Sequence, residues 1–373
     1  MERRRFLQGA GVGLAAGVAA PTIAQTQPQV RWRMASSFPK SLDTLYGSAE
    51  EMAARIAALT DGKFEIRVHA AGDIVPALQV QEAVQNGTVE CGQTASYYYV
   101  GKHPAFAFDT ALPFGMNCRQ QNAWMYQGGG LPLMREFYKP YNIINFPCGN
   151  TGTQMAGWYR KEITALSDLK GLKMRIAGLA GQIMARLGVA PQQIAAADIY
   201  PALEKGTIDA AEWVGPYDDE KLGFHKVAKY YYYPGWWEGS AQLSVFVNLK
   251  SWQALPKSYQ AALEVACAEA NIHMVARYDA NNTAALRRLV SQGAQLRAFP
   301  RTVMEACHKV AHELYAELAA KHPEFNKIYE PWRKFRDEQY LWFRVAENSF
   351  DNFVYSVKTP PAKAAPAKAV PGK

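Results

Sequence analysis

Two short stretches of the chain carry residue types that could do chemistry. The first is Leu172-Lys173-Met174-Arg175-Ile176. Its apolar and basic residues alternate with the period of a half-buried strand. Gly178 stops the run, and Leu179–Leu187 then reads as a short apolar helix ending before Gly188. An arginine at the end of a strand, beside a loop, sits where α/β sheets bind ligands. The planar donor fork of Arg175 suits a carboxylate, which could equally be a structural acid of the protein itself. The second stretch ends in Glu212-Trp213. Asp198 is expected to cap a helix over Ile199–Lys205 and Gly206 to close it. A strand from Thr207 to about Val214 then carries Glu212 among Ile208, Ala210, Ala211 and Val214. A carboxylate in such company needs a partner, either a salt bridge or a cation. One glutamate is no motif for a hard metal.

The elements that must position these residues follow a strand–helix–strand order. Val30–Ser36 reads as a strand, Leu42–Leu59 as a helix, Phe64–Val68 as a strand, Val75–Val84 as a helix and Thr88–Thr94 as a strand running into Ser96-Tyr97-Tyr98-Tyr99. This order predicts a parallel α/β arrangement. It recurs later, and Asn86-Gly87-Thr88-Val89-Glu90 is echoed by Lys205-Gly206-Thr207-Ile208-Asp209. Two similar lobes facing each other across a cleft account for the repetition, with Tyr97–Tyr99 and Glu212-Trp213 leading towards it. The chain is expected to cross into the second lobe near Pro147–Gly149 and to return through Tyr230–Ser240, where Trp236, Trp237 and Glu238 together suggest a cleft wall. Gly128-Gly129-Gly130 is read as a flexible connection rather than a phosphate cradle, since it follows no strand. Pro256–Ser291 and Val303–Lys321 have helical spacing, as does Glu324–Phe353, which is rich in aromatics.

The motifs Asn150-Thr151-Gly152-Thr153-Gln154, Asp168-Leu169-Lys170-Gly171-Leu172-Lys173-Met174-Arg175 and Gly206–Trp213 resemble those of the extracytoplasmic solute-binding subunits of tripartite ATP-independent periplasmic (TRAP) transporters, in particular the branch that binds 2-oxo acids and lactate. The resemblance spans roughly Val30 to Phe353. It implies a two-lobed, type II-like periplasmic binding protein fold with a long C-terminal helix. Lobe I would take residues 25–149 with part of 236–300, and lobe II residues 150–235 with part of 250–322. Residues 323–357 would form a helix that makes a homodimer. By the same resemblance Arg175 grips the ligand carboxylate, with Asn150, Gln154, Tyr98, Tyr99, Trp213 and Glu238 completing the binding site. Gln154, Glu212 and the Trp213 backbone would hold Na+ or Ca2+. The ligand would be a small monocarboxylate such as pyruvate or lactate, handed to a membrane permease. A C4-dicarboxylate or sugar acid bound without metal, or a secreted carboxylate-processing enzyme, are the competing readings.

Composition narrows the partners. The formal charge of +8 is concentrated at the ends: residues 1–24 carry a net +2 and residues 358–373 a net +4. The remainder is near neutral, which argues against nucleic acid. Arg3-Arg4-Arg5-Phe6-Leu7, an apolar run over Gly9–Ala20 and Thr22-Ile23-Ala24 read as a twin-arginine-type export signal, with the general secretory route as the alternative. The expected location is the periplasm. Five scattered cysteines contain no C-x-x-C pair and are expected to be buried thiols rather than a disulfide framework. His308 and His312 lack the Glu of a zinc-protease motif and read as a helix face. No G-x-S-x-G, P-loop or H-E-x-x-H follows residue 24. The tail 358–373 is expected to be disordered.

Overall fold

The computed structural model describes residues 27–357. The expected export signal, residues 1–24, and the expected disordered tail, 358–373, lie outside them. The strands run in chain order as β1 (Val30–Ser36), β2 (Phe64–His69), β3 (Cys91–Thr94), β4 (Ile143–Asn150), β5 (Trp158–Tyr159), β6 (Lys173–Arg175), β7 (Ala190–Gln192), β8 (Ala210–Ala211), β9 (Tyr230–Tyr233), β10 (Gln242–Asn248) and β11 (Gln295–Ala298). They form two sheets, ordered β2-β1-β3-β10-β4 and β11-β9-β5-β8-β6-β7. The first sheet belongs to lobe I and the second to lobe II. In each, the strand that has just arrived from the other lobe runs antiparallel to its neighbours: β10 against β3 and β4, and β5 against β8 and β9. The other pairings are parallel, joined by crossovers such as the helix Leu45–Leu59. The chain changes sheet between Asn150 and Trp158, later than the expected Pro147–Gly149, which is still paired within β4, and returns between Tyr233 and Gln242, within the expected Tyr230–Ser240 stretch.

The sequence echo has a structural basis. Gly87 and Gly206 both adopt the left-handed backbone, with φ of 73° and 71°, after a helix. Val89 and Ile208 are both fully buried. Glu90 accepts the Arg33 amide of β1 at 2.8 Å, and Asp209 accepts the Lys173 amide of β6 at 3.0 Å. In each lobe the acid therefore ties the approach to one strand onto its parallel neighbour, directly upstream of a cavity-facing segment.

A 35-residue helix, Lys257–Ser291, runs along both lobes. Its Glu269 pairs with Arg55 at 2.5 Å and its His273 meets Glu51, both in lobe I. Further along, Asn282 accepts the Tyr217 amide at 3.1 Å and Arg288 pairs with Glu220 at 2.7 Å, both in lobe II. The C-terminal segment is two helices, Pro323–Val345 and Glu347–Ser356, broken at Ala346.

Several local expectations are corrected. Asp198 does not cap its helix, which starts at Ala196 after Ala195; the carboxylate instead lies in the first turn, where the helix dipole favours it. The strand expected from Thr207 shrinks to Ala210–Ala211, because its neighbour β5 offers only two residues to pair with. The glycine run is packed rather than flexible: a Cβ on Gly130 would stand 2.4 Å from the Trp124 ring nitrogen, and one on Gly128 would stand 2.8 Å from Phe335. Trp236 stacks on Phe114 at 5.0 Å and Trp237 packs against Phe299, both in the core rather than on a cleft wall. The first half of the C-terminal helix is not free for a partner, since Phe325 and Trp332 pack on Phe108 at 4.9 and 5.9 Å. All five cysteines are free thiols, and four are buried. No described helix is long and apolar enough to cross a membrane.

Candidate functional site

The C-terminal end of β6 delivers Arg175 into the space between the lobes, and the segment after β8 brings Glu212 beside it. Both side chains are essentially inaccessible, at 1% and 0% exposure. Arg175 Nη1 donates to the Glu212 carbonyl at 2.8 Å and is ion-paired with Glu212 Oε1. The Ala177 amide donates to the same oxygen at 3.2 Å. The bland alternative, a structural acid for Arg175, is thus realised, but it uses only one edge of the guanidinium and one oxygen of the carboxylate. Arg175 lies over the Trp213 ring at 4.9 Å, and the Tyr98 hydroxyl lies beside it.

The oxygens left over converge. Glu212 Oε2, Gln154 Oε1 and Glu238 Oε2 are all buried without a hydrogen-bond partner. The Gln154 amide nitrogen is committed to Thr151 Oγ1 at 3.1 Å, so its oxygen is the free end. The loop that carries the Trp213 carbonyl is braced from behind. Asp219 accepts Trp158 Nε1 at 3.0 Å and the Tyr231 hydroxyl at 2.7 Å, and Asp218 accepts the Tyr278 hydroxyl at 2.7 Å. Burial pushes the Glu212 carboxyl up, opposed by Arg175 and the Ala177 amide. Burial and the neighbouring Glu212 push Glu238 well above the usual carboxylate range, against the Tyr97 hydroxyl and Arg175. Glutamate, amide and peptide oxygens together form a hard-oxygen set. No cluster of three or more His, Cys, Asp or Glu with metal-site geometry occurs among the described residues.

Gln154, Arg175 and Trp213 line a small cavity of about 20 Å³ whose wall also includes Phe38, Leu45, Tyr97, Tyr98 and Leu243; Glu212 and Glu238 stand behind that wall. Room for little more than one water-sized group means the lobes are closed on each other. The Gln193 side chain of lobe II donates to the Tyr98 carbonyl of lobe I at 2.8 Å, which crosses the same gap. A larger groove of about 530 Å³ lies elsewhere, between the helices Gly130–Tyr138 and Pro323–Val345. None of its lining side chains has a buried, unpartnered polar atom, so the chemistry belongs to the smaller space.

Of the residues expected at the site, Arg175, Gln154, Glu212, Trp213, Tyr98 and Glu238 are brought together. Asn150 lies at the end of β4, where its Oδ1 accepts the Gly152 amide at 2.9 Å and shapes the turn that presents Thr151 and Gln154; its buried Nδ2 has no partner, and like Glu212 and Glu238 it stands behind the cavity wall rather than in it. Tyr99 is turned away, its hydroxyl bonded to Thr94 at 3.0 Å and to the Gln81 amide at 3.1 Å. Tyr97 stands on the wall instead. Phe38, Leu45 and Leu243 were not foreseen; Phe38 follows the end of a parallel strand, the one signal that could have pointed to it. The His308 and His312 rings are 4.2 Å apart and tilted by 39°, far along the chain from this site, with the exposed His308 edge-on to Phe114, as a partly solvated helix face.

A family model described as bacterial extracellular solute-binding protein, family 7, matches residues 35–322. A monocarboxylate 2-oxoacid-binding periplasmic protein from Nostoc is 51% identical over 95% of this chain and the whole of that protein. A TRAP transporter solute-binding protein from Bordetella bronchiseptica is 58% identical with a TM-score of 0.87, over 88% of this chain and 98% of that one; it is a mixed-occupancy dimer with copurified calcium and picolinate in one active site. A TRAP periplasmic solute-binding protein from Pseudoalteromonas atlantica, with bound sodium and pyruvate, is 40% identical with a TM-score of 0.85, over 88% of this chain and 100% of that one.

Proposed function

Because the chain belongs to family 7 of the bacterial extracellular solute-binding proteins, the receptors of TRAP transporters, we propose that it captures a small 2-oxo or 2-hydroxy monocarboxylate, such as pyruvate or lactate, together with Na+ or Ca2+. The observation that carries this reading is Arg175, whose Nη1 is held by Glu212 and whose Nε donates to the Ile194 carbonyl at 3.4 Å while Nη2 is left over, beside three buried oxygens without partners, Glu212 Oε2, Gln154 Oε1 and Glu238 Oε2. Such oxygens are costly to bury unless something positive meets them. Glu212 Oε2, Gln154 Oε1 and the Trp213 carbonyl would hold the cation, and Arg175 and Tyr98 the ligand carboxylate. The cation, when bound, supplies positive charge between Glu212 and an anionic ligand. A 2-oxo group adds a second oxygen to the carboxylate in chelating position, which a plain carboxylate lacks. Arg175 is the one cationic residue of the cavity wall, so a second carboxylate would find no partner there. This speaks against C4-dicarboxylates.

Arg175 and Gln154 belong to lobe II and its approach, Tyr97 and Tyr98 to lobe I. A ligand touching both favours the closed form through contacts that the open form lacks. The closed form is what a TRAP permease would recognise after export through the twin-arginine route. Calorimetry of pyruvate and of propionate, in sodium, in calcium and with both removed, tests the reading. Pyruvate binding should require a cation and exceed propionate binding at least about tenfold, or about 1.4 kcal/mol. Equal binding in every buffer would remove the metal, and failure to bind any 2-oxo or 2-hydroxy acid would sink the ligand class.

The exposed end of the C-terminal segment is read as a dimer surface. Leu341, Trp342, Val345, Phe350, Phe353 and Tyr355 are all exposed there, Tyr355 to 81%. Apolar exposure on this scale is a partner surface. Light scattering should give a dimer for the full chain and a monomer for a chain ending at Tyr340, which keeps the intramolecular Phe325 and Trp332 contacts. A monomeric full chain at micromolar concentration would rule the dimer out.

A further inference from the structure

We propose that Asp43 is a positioning residue, a latch by which lobe II is held shut on lobe I over the bound ligand. Asp43 lies in the loop between β1 and the helix Leu45–Leu59, the same loop that sends Phe38 and Leu45 into the cavity wall. Its carboxylate accepts from the Tyr217 hydroxyl at 3.1 Å and is ion-paired with Lys221 and with Arg277.

Those partners come from two different places. Glu269, His273 and Arg277 are spaced four apart on the long helix Lys257–Ser291, so they share one face. They meet Arg55, Glu51 and Asp43 of lobe I in turn. Asp43 is the last rung of this ladder. Tyr217 and Lys221 stand on the helix Pro216–Leu222 of lobe II, which begins three residues after Trp213. Their side is built in advance: the Tyr217 amide is fixed to Asn282 at 3.1 Å, and Lys221 lies over the Tyr217 ring at 3.3 Å. The contact to Arg277 stays within the lobe I ladder when the lobes part. The contacts to Lys221 and Tyr217 cross between lobes and, on this proposal, are the ones that break when the lobes part. Partial burial pushes the Asp43 carboxyl up, but Lys221, Tyr217 and Arg277 outweigh this and hold it below the usual carboxylate range. The latch is therefore charged at neutral pH.

An interaction confined to the closed state retains ligand without touching it, and its loss appears in the dissociation rate. The proposal rests on the carboxylate-receptor reading above, and the probe is pyruvate with sodium, on the full chain. In stopped-flow measurements Asp43→Asn should release pyruvate about three- to tenfold faster, the range open to a partly exposed ion-pair network, with association little changed. Lys221→Met should do the same, and the double variant should be no worse than Asp43→Asn alone. The melting temperature of ligand-free Lys221→Met, which keeps the Arg277 pair, should stay within about 2 °C of wild type, the scale of losing one partly exposed ion pair. Unchanged release in both single variants, multiplicative effects in the double variant, or an equal loss of ligand-free stability would each overturn the latch. A wild-type chain that ignores pyruvate overturns the ligand and not the latch. Small-angle scattering then decides: Asp43→Asn must enlarge the radius of gyration, and an unchanged radius rejects the latch.

Discussion

Lobe I and the cleft each hold a buried acid, and the two are finished differently. Asp109 is fully inaccessible, and every side of its carboxylate is used. Oδ1 accepts Asn145 Nδ2 and Gln242 Nε2, and Oδ2 accepts the Tyr138 and Ser244 hydroxyls, all at 2.9 Å. These donors come from β4, from β10 and from the helix Gly130–Tyr138, so the carboxylate clamps both strands that cross between lobes. Glu212 is equally buried, yet one of its oxygens has no partner, and neither has Gln154 Oε1 or Glu238 Oε2 nearby. Around Asp109 the charged group is satisfied, and only the neutral amide oxygens of Asn145 and Gln242 lack partners. A carboxylate satisfied on both oxygens is part of the scaffold, whereas one with an unpaired oxygen beside a second such carboxylate is built for something else to complete.

The contrast can be broken most forcefully at Asp109. Asp109→Ala strands four buried donors and should cost about 3–5 kcal/mol of stability, while the folded fraction binds pyruvate normally. Urea unfolding paired with calorimetry reads both, and a loss below about 1 kcal/mol would mean that the clamp is dispensable. Arg175→Ala should show the reverse emphasis. Removing a buried, hydrogen-bonded charge partner typically costs about 2–5 kcal/mol, so pyruvate affinity should fall about 30-fold or more. Arg175→Lys should also bind poorly, because it loses the fork. Near-normal affinity in Arg175→Ala would return the residue to a structural role.

The smallest effect is a pH slope. Burial pushes Asp109 up to about 7, against its four donors, from an ordinary 3.8. A group whose pKa is raised on folding contributes stability that is complete below its unfolded value and lost as pH rises through the folded one. The Asp109 contribution should therefore fade between about pH 4 and about pH 7. Asp109→Asn removes that slope, so the stability gap between it and wild type should narrow as pH rises across this window. Thermal melts at half-unit intervals measure it, and parallel profiles would show that Asp109 stays ionised throughout.

The same contrast separates what was legible in the residues from what was not. Arg175 and Glu212 could be singled out because their chemistry is local: each sits in a short motif beside a strand end, and a buried charge advertises its need for a partner. Gln154, which carries no charge, was implied only by the family resemblance. The two lobes could be read from Gly87 and Gly206, since a helix that must stop and reverse calls for the same left-handed glycine each time. Asp109 was silent, because its four donors are scattered from Tyr138 to Ser244 and meet only when two strands and a helix pack.

Sequence alone also could not choose among Tyr97, Tyr98 and Tyr99. They share one 3-10 turn, and in so tight a turn successive side chains point in different directions. Which one faces the cavity depends on where the turn docks. The length of β8, set by a two-residue partner, was decided in the same way by a neighbour distant in the chain. So were the Asp43 contacts and the bond from Gln193 to Tyr98. By itself the sequence determined the local chemistry, the element order and the duplication of the lobe. Only the tertiary structure decided which groups face each other across the cleft, because that depends on the placement of one lobe against the other, and no periodicity within either lobe encodes it.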